Sequence, residues 1–184
     1  MAKKGIRYAV FAHATEAADG TITYSDAKNI SPVAGFNGSV NKSTGKDYGD
    51  DRVVDSDDSV IGGSLTVELT DDEDDIYTFL LGHSKDTGSS SNAVTYDVAD
   101  EPPFVGCGAY GPSGSKWVAK WYSKVKFSEP NDDNVTKQET VTFGHTTLEG
   151  DILIPANGKW KFRETFTTEE AAKAWINARA GLSS

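Results

Sequence analysis

Residues 116–127, KWVAKWYSKVKF, restrict the fold more than any other stretch of the sequence. Apolar or small side chains occupy one set of alternate positions, and lysines dominate the other set. A period of two held over this length indicates a β-strand with one buried and one exposed face. The predicted inward face consists of Trp117, Ala119, Trp121, Ser123, Val125 and Phe127. Because a long strand needs partners, the chain is expected to fold around a β-sheet.

The remaining sequence favours the same fold class. Leu and Met are scarce, whereas Gly, Thr, Ser, Val and aromatic residues are frequent, which suits strands and turns better than a helical bundle. Further strands are predicted at residues 6–12, 21–24, 30–40, 60–69, 104–110, 140–148 and 152–154. We therefore expect residues 1–184 to form a single mainly β domain, a sandwich or barrel that carries two helices.

The first helix is predicted directly after a strand, within residues 62–83. Thr70 and Glu73 match a capping box, and the carboxylates between and after them suit the positive end of a helix dipole. Ile76, Phe79 and Leu80 follow at the spacing of one helix face and are expected to pack on the sheet.

A second helix is predicted at residues 168–180, the C-terminal end of the domain. Thr167 and Glu170 match another capping box, and Gly181 is expected to end the helix. Its apolar side would include Trp175 and Ile176.

The net charge of −10 is concentrated in one stretch. Residues 47–75 contain 12 acidic residues and one basic residue, whereas the rest of the chain contains 16 acidic and 17 basic residues. This balance argues against a protein that binds nucleic acid by neutralising phosphates. A chain with one strongly acidic region and basic patches elsewhere can instead attract copies of itself.

Residues 41–59 form a polar segment that is predicted to be a long loop. Loops of this length are functional or disordered more often than incidental, and this one is expected to become ordered against another copy. Three of its aspartates resemble part of a calcium-binding loop, but the glycine and distal glutamate of an EF-hand are missing, so a solvated loop is favoured over a divalent-ion site. The contact candidates are Lys46, Asp47, Tyr48, Asp50, Asp51, Arg52, Asp55, Asp57 and Asp58.

Charged residues on the predicted strand faces and at the first helix are candidates for pairing between subunits. The simpler interpretation of the basic ones is a solvent-facing sheet surface or protection of an edge strand. The basic candidates are Lys116, Lys120, Lys124, Lys126, Lys159, Lys161 and Arg163, and the acidic candidates are Asp71, Asp72, Asp74 and Asp75.

No catalytic or cofactor-binding motif is apparent. His13, His83 and His145 are scattered without a metal-ligand spacing and are interpreted as surface or strand-end residues. Cys107, in a glycine-rich strand, is interpreted as a small buried apolar residue. The sequence predicts neither an enzyme nor a bound cofactor, and it shows no secretory signal or membrane span, so synthesis in a cytoplasm is expected.

Several ordered segments resemble the major tail protein family of long-tailed, non-contractile bacteriophages. They are KKGIRYAVF, DGTITY, VNKSTGKDYGDD, GGSLTVELTDDEDDIYTFLLGH, PFVGCG and KFSEPNDDNVTKQETVTFG followed by LEG. The resemblance implies a β-sandwich or barrel with a packed helix, which assembles into stacked hexameric rings that form the tail tube of the virion. It also implies contacts with the tape measure and tail terminator proteins. DNA would pass through the lumen into the bacterial host without specific binding, and no membrane would be involved.

A monomeric binding module remains the alternative. A carbohydrate-binding or adhesin-like β-sandwich would present aromatic side chains on a platform, and Trp117 and Trp121 share a predicted strand face. Packing in a core explains the two tryptophans more simply.

Overall fold

A computed structural model describes residues 5–49, 52–71, 73–86, 93–131 and 145–182. The described residues form a mainly β fold with two helices. The first six strands are β1 (Tyr8–Glu16), β2 (Ile22–Asn29), β3 (Val33–Lys42), β4 (Gly45–Gly49), β5 (Arg52–Asp57) and β6 (Val60–Leu69). Helix α1 (Asp74–Leu81) follows, and then β7 (Ser84–Lys85), β8 (Val94–Thr95), β9 (Phe104–Ser113), β10 (Lys116–Ser128), β11 (Thr146–Ile152), β12 (Lys161–Phe166) and helix α2 (Glu169–Ala180).

Eight of these strands form one antiparallel sheet in the order β2-β1-β9-β10-β11-β6-β3, with β12 also paired to β10. Strand β10 is long enough to pair with two strands, one after the other, along the same edge. Its first half, Trp117–Tyr122, pairs with β12, and its end, Val125–Ser128, pairs with β11. The sheet therefore divides at β10, which leaves β3 and β12 on separate branches.

The two faces of the sheet bury separate cores. On one face, β3 and β6 fold over β1, so that the rings of Phe36 and Phe11 lie 6.4 Å apart, and α1 contributes to the same core. On the other face, α2 covers β1, β9 and β10, and Ile176 packs with the fully buried Trp121. The expectation of a mainly β sandwich or barrel with two packed helices is confirmed.

A bulge in β10 breaks the alternation that the sequence shows. Tyr122 pairs with Cys107 and Val125 pairs with Val105, so β10 uses one more residue than β9 over this interval. An extra residue turns the following side chains to the opposite face. Val125 consequently lies in the core under β3 and not with Trp121 under α2. The prediction of a single inward face from Trp117 to Phe127 is therefore wrong.

Helix α1 packs as predicted but is capped differently. Ile76, Phe79 and Leu80 are at most 8% exposed, which confirms them as its packing residues. Glu73 is the N-cap residue and its side chain makes no capping hydrogen bond, so the predicted capping box is wrong. The Thr70 hydroxyl instead donates to the Pro32 carbonyl at 2.6 Å, because β3 begins close to the end of β6.

Helix α2 confirms the predicted C-terminal helix within one residue. Thr168, and not Thr167, is its N-cap, and the Thr168 hydroxyl accepts a hydrogen bond from the Ala171 N–H. The helix ends at Gly181, whose φ of +77° lies in the left-handed region that favours glycine.

The segment predicted as a long loop, residues 41–59, is largely a β-hairpin, and the loop prediction is wrong in this respect. Strands β4 and β5 pair with each other, and the Ser43 N–H donates to the Ser59 carbonyl at 2.8 Å between this hairpin and the β3–β6 pair. The two pairs therefore form one continuous ribbon. We call residues 43–59 the arm. Its sequence has no apolar alternation, and so the pattern of the sequence does not reveal its strands.

Candidate interaction site

The arm contains most of the residues that the sequence analysis names as candidates for contact with another copy. Lys46, Asp47 and Tyr48 lie on β4, and Arg52, Asp55 and Asp57 lie on β5. Asp58 follows the hairpin and is exposed, whereas Asp50 and Asp51 lie outside the described residues. The proposed alternative of a divalent-ion site at the arm aspartates stays a prediction.

Two arm aspartates occupy directly paired positions. Asp47 of β4 pairs with Asp55 of β5. Like charges at paired positions of an antiparallel ladder destabilise it, whereas a nearby positive charge removes that cost. Residues 43–59 carry six aspartates against Lys46 and Arg52, so the charge of this segment suits a basic partner.

A groove lies at the end of β3 that is farther from the arm. It is located between the first residues of β3 and the β9–β10 hairpin. It encloses about 290 Å³. Small and apolar residues form most of its surface, with Ala34–Asn37 of β3 on one side and Gly111, Pro112 and Val118 on the other. Since β3 ends the sheet, one side of the groove is an edge strand.

Three of the predicted basic residues form a rim beside this groove. Lys120 lines it, Arg163 of β12 is paired with Lys120, and Lys161 is paired with Tyr122. Directly paired residues project from the same side of a sheet, so all three side chains face away from α2. We call Lys120, Lys161 and Arg163 the basic rim. Lys116 lies on the same strand and is exposed at its start.

The other basic candidates do not join this rim. The bulge directs Lys124 and Lys126 to the opposite face, where both lie over the ring of Phe104. Lys124 Nζ also donates to Glu16 Oε2 at 2.6 Å, and this bond, followed by one from the Ala156 N–H, lowers the pKa of Glu16. Lys124 therefore stabilises its own subunit. Lys159 lies in the exposed turn before β12.

The acidic start of α1 is exposed but partly neutralised within the chain. Asp75 Oδ1 accepts a hydrogen bond from Lys85 Nζ at 2.7 Å, which lowers the pKa of Asp75. Asp71 and Asp75 line a second hollow of about 270 Å³, which Lys28 also borders. Asp74 is exposed at the first turn, and Asp72 lies outside the described residues.

His83 lies between two carboxylates, an arrangement that the sequence does not predict. His83 is only 7% exposed at its side chain, which corrects its interpretation as a surface residue. Its Nδ1 lies 2.8 Å from Asp100 Oδ2 and its Nε2 lies 2.8 Å from Glu129 Oε2. Partners 17 and 46 residues away leave no local pattern in the sequence. This cluster joins the end of α1 to the end of β10.

Stability is expected to depend on pH through this cluster. Burial alone would lower the pKa of His83, but the bonds to Asp100 and Glu129 outweigh it, so the pKa is raised. Folding is therefore favoured while His83 is protonated, and this contribution is lost as the pH rises through the raised pKa. The pKa of Asp100 is lowered, and its hydrogen bond to His83 is the main cause. Asp100 therefore stays ionised and paired with His83 as the pH falls into the acidic range.

Urea denaturation of the wild type and of His83→Gln should accordingly differ most near about pH 5 and least near about pH 8. An equal difference at both values would show that protonation of His83 contributes nothing to stability.

In the described part of the chain, the residues considered for a reactive thiol, a metal site or a sugar platform do not form one. Cys107 is fully buried, and burial raises the pKa of its thiol, which removes the reactive thiolate. Among the described residues, no group of three or more His, Cys, Asp or Glu side chains is placed to hold a metal ion. Trp121 is fully buried and Trp117 partly buried, so the two do not form an exposed platform for sugars.

Comparison of the sequence with protein-family models and with curated proteins finds no match. Within the described residues, neither helix has the length and apolar character that crossing a bilayer requires.

Proposed function

We propose that the chain is a structural subunit of a phage tail tube. Copies would form stacked hexameric rings in the virion tail, around a channel that carries DNA into the bacterial host. The tape measure and tail terminator proteins would be its other partners. The observation that supports this proposal most strongly is the arm, a polar hairpin that continues the ribbon formed by β3 and β6.

The arm is difficult to explain in a monomer. Its five-residue strand β4 alone spans roughly 15 Å, and isolated two-stranded hairpins are marginally stable in water. Contact with another copy would stabilise such a hairpin further.

Strand edges offer a second means of association. Among the described strands, β2 and β3 end the sheet, and β12 pairs only through its β10 side. Edges of this kind can pair with strands of another chain. Rings formed by joined sheets would pair along these strand edges. The net charge of −10 would keep DNA from adhering to the resulting channel.

Sedimentation velocity of the purified wild type tests this proposal. We expect the sedimenting mass to rise with protein concentration toward six subunits and multiples of six. The alternative, a monomeric binding module, predicts one 19.7 kDa species at every concentration together with binding to a glycan array.

A further inference from the structure

We propose that His83 is a proton-operated tether. The charged imidazole fastens the end of β10 to the end of α1 through Glu129, and loss of its proton releases Glu129. Glu129 directly follows Ser128, the last residue of β10, and His83 lies two residues beyond Leu81, the last residue of α1. The tether acts within one subunit, so it does not depend on the assembly proposed above.

The fold encloses the imidazole ring of His83. Helix α1 ends at Gly82, whose φ of +79° turns the chain, and a Cβ at this position would lie 2.7 Å from the Glu101 carbonyl oxygen. The segment before β9 therefore lies directly against the helix end. The ring of Tyr96 is centred 4.3 Å from the imidazole, whose side chain is only 7% exposed. A ring enclosed in this way keeps each nitrogen directed at its own partner.

The two hydrogen bonds of this ring require two protons. Nδ1 lies 2.8 Å from Asp100 Oδ2, and Nε2 lies 2.8 Å from Glu129 Oε2. Ionised carboxylates accept hydrogen bonds and donate none, whereas a neutral imidazole carries a single N–H. The arrangement therefore fits the charged ring, and deprotonation must leave one carboxylate facing a nitrogen lone pair.

Exposure decides which of the two bonds is lost. Asp100 is 19% exposed at its side chain, and its Oδ2 also accepts a hydrogen bond from the Asp97 N–H at 3.0 Å. Glu129 is 51% exposed, so its carboxylate can turn to water without being desolvated. The neutral ring of His83 accordingly keeps its proton on Nδ1, bonded to Asp100, and Glu129 is released.

The charged groups bonded to the ring are both carboxylates. Of the ion pairs between described residues, those of Asp100 and Glu129 are both with His83. On the side of α1 and β7, Lys85 is already bound to Asp75 at 2.7 Å. The proton of His83 is therefore the charge that holds the three chain segments together.

The more distant charges leave this balance in place. Asp97 and Glu101 add negative charge to the segment before β9, and Lys126 of β10 lies over the ring of Phe104. The C-terminal end of α1 also favours a positive charge beside it. Burial alone would lower the pKa of His83, but the bonds to the two carboxylates raise it.

NMR of histidine labelled with ¹⁵N tests the protonation of each ring nitrogen. We expect both nitrogens of His83 to carry protons near about pH 5 and only Nδ1 to carry one after the ring has titrated. His13 is the internal control, since its Nε2 lies 2.9 Å from the Phe79 carbonyl oxygen and a neutral ring protonated at Nε2 keeps that bond. The neutral forms of His83 and His13 should therefore be opposite tautomers.

Two substitutions of Glu129 separate a proton-operated tether from a permanent contact. Glu129→Gln supplies an amide, which can accept from an N–H or donate to a lone pair, so the link should persist in both states of the ring. Glu129→Ala removes the link in both states. Circular dichroism confirms that each variant is folded.

Hydrogen exchange at the end of β10 reports the link. The amides of the last two β10–β11 pairs, Phe127–Gly150 and Ser128–Glu149, should lose about tenfold of their protection between about two pH units below and about two above the midpoint of His83, after correction for base catalysis. Protection should stay high at both values in Glu129→Gln and low at both in Glu129→Ala. The Trp117–Phe166 pair at the start of β10 is the control and should not change.

The inference is overturned if the neutral ring of His83 carries its proton on Nε2, or if the ring does not titrate between about pH 5 and about pH 10. It is also overturned if folded Glu129→Gln loses protection with pH as the wild type does.

Discussion

Replacement of Trp121 by alanine is expected to lower the free energy of unfolding by about 3–5 kcal/mol. Trp121 is fully buried, and its indole N–H donates to the Tyr24 hydroxyl at 3.0 Å. The same hydroxyl donates to the Ser123 carbonyl, so the substitution removes one member of a partly buried hydrogen-bonded chain as well as a large ring. Gly106 and Gly108 leave the space that this ring fills, because a Cβ at either position would collide with it.

Urea denaturation followed by circular dichroism measures this loss. Trp117→Ala is the matched control, since Trp117 lies on the same strand but is only partly buried, and it should cost clearly less. A loss below about 1 kcal/mol for Trp121→Ala would show that α2 is held to the sheet by other contacts.

Removal of the arm is expected to abolish assembly and leave the fold intact. A two-residue Asn-Gly turn joining Ser43 to Ser59 would close the ribbon where these residues already share a backbone hydrogen bond. The β3–β6 ladder and the Ser43–Ser59 hydrogen bond stay in place in the shortened chain, so the free energy of unfolding should change by less than about 1 kcal/mol. Association should fall to the level of the monomer if the arm is the segment that contacts the next copy.

Thermal denaturation and sedimentation velocity of the shortened chain measure the two effects separately. A shortened chain that still assembles like the wild type would assign assembly to the strand edges alone. A chain that unfolds would show that the arm belongs to the core fold.

The sequence predicts elements with a regular apolar spacing and does not reveal strands that lack it. Ile76, Phe79 and Leu80 reveal α1 because burial imposes the helical spacing on them. The strands of the arm show no apolar periodicity in the sequence, so they resemble a loop until backbone pairing is seen. The fold class could therefore be predicted and the shape of the candidate contact could not.

The bulge in β10 shows a second limit. Both Trp121 and Val125 are apolar and buried, and their even spacing suggests one face. The chain has a buried core on each face of β10. The inserted residue places the apolar side chains that follow it in the other core. This insertion also divides the seven predicted basic residues, so that only part of them can form the rim. His83 was missed for a related reason, since its partners meet it only in the folded chain.

Electron microscopy of the purified wild type at high concentration tests the central claim most directly. We predict hollow tubes or stacked rings with a regular axial repeat, which the chain without its arm should not form. Isolated particles of single-subunit size for both chains, at every concentration and ionic strength, would contradict the claim.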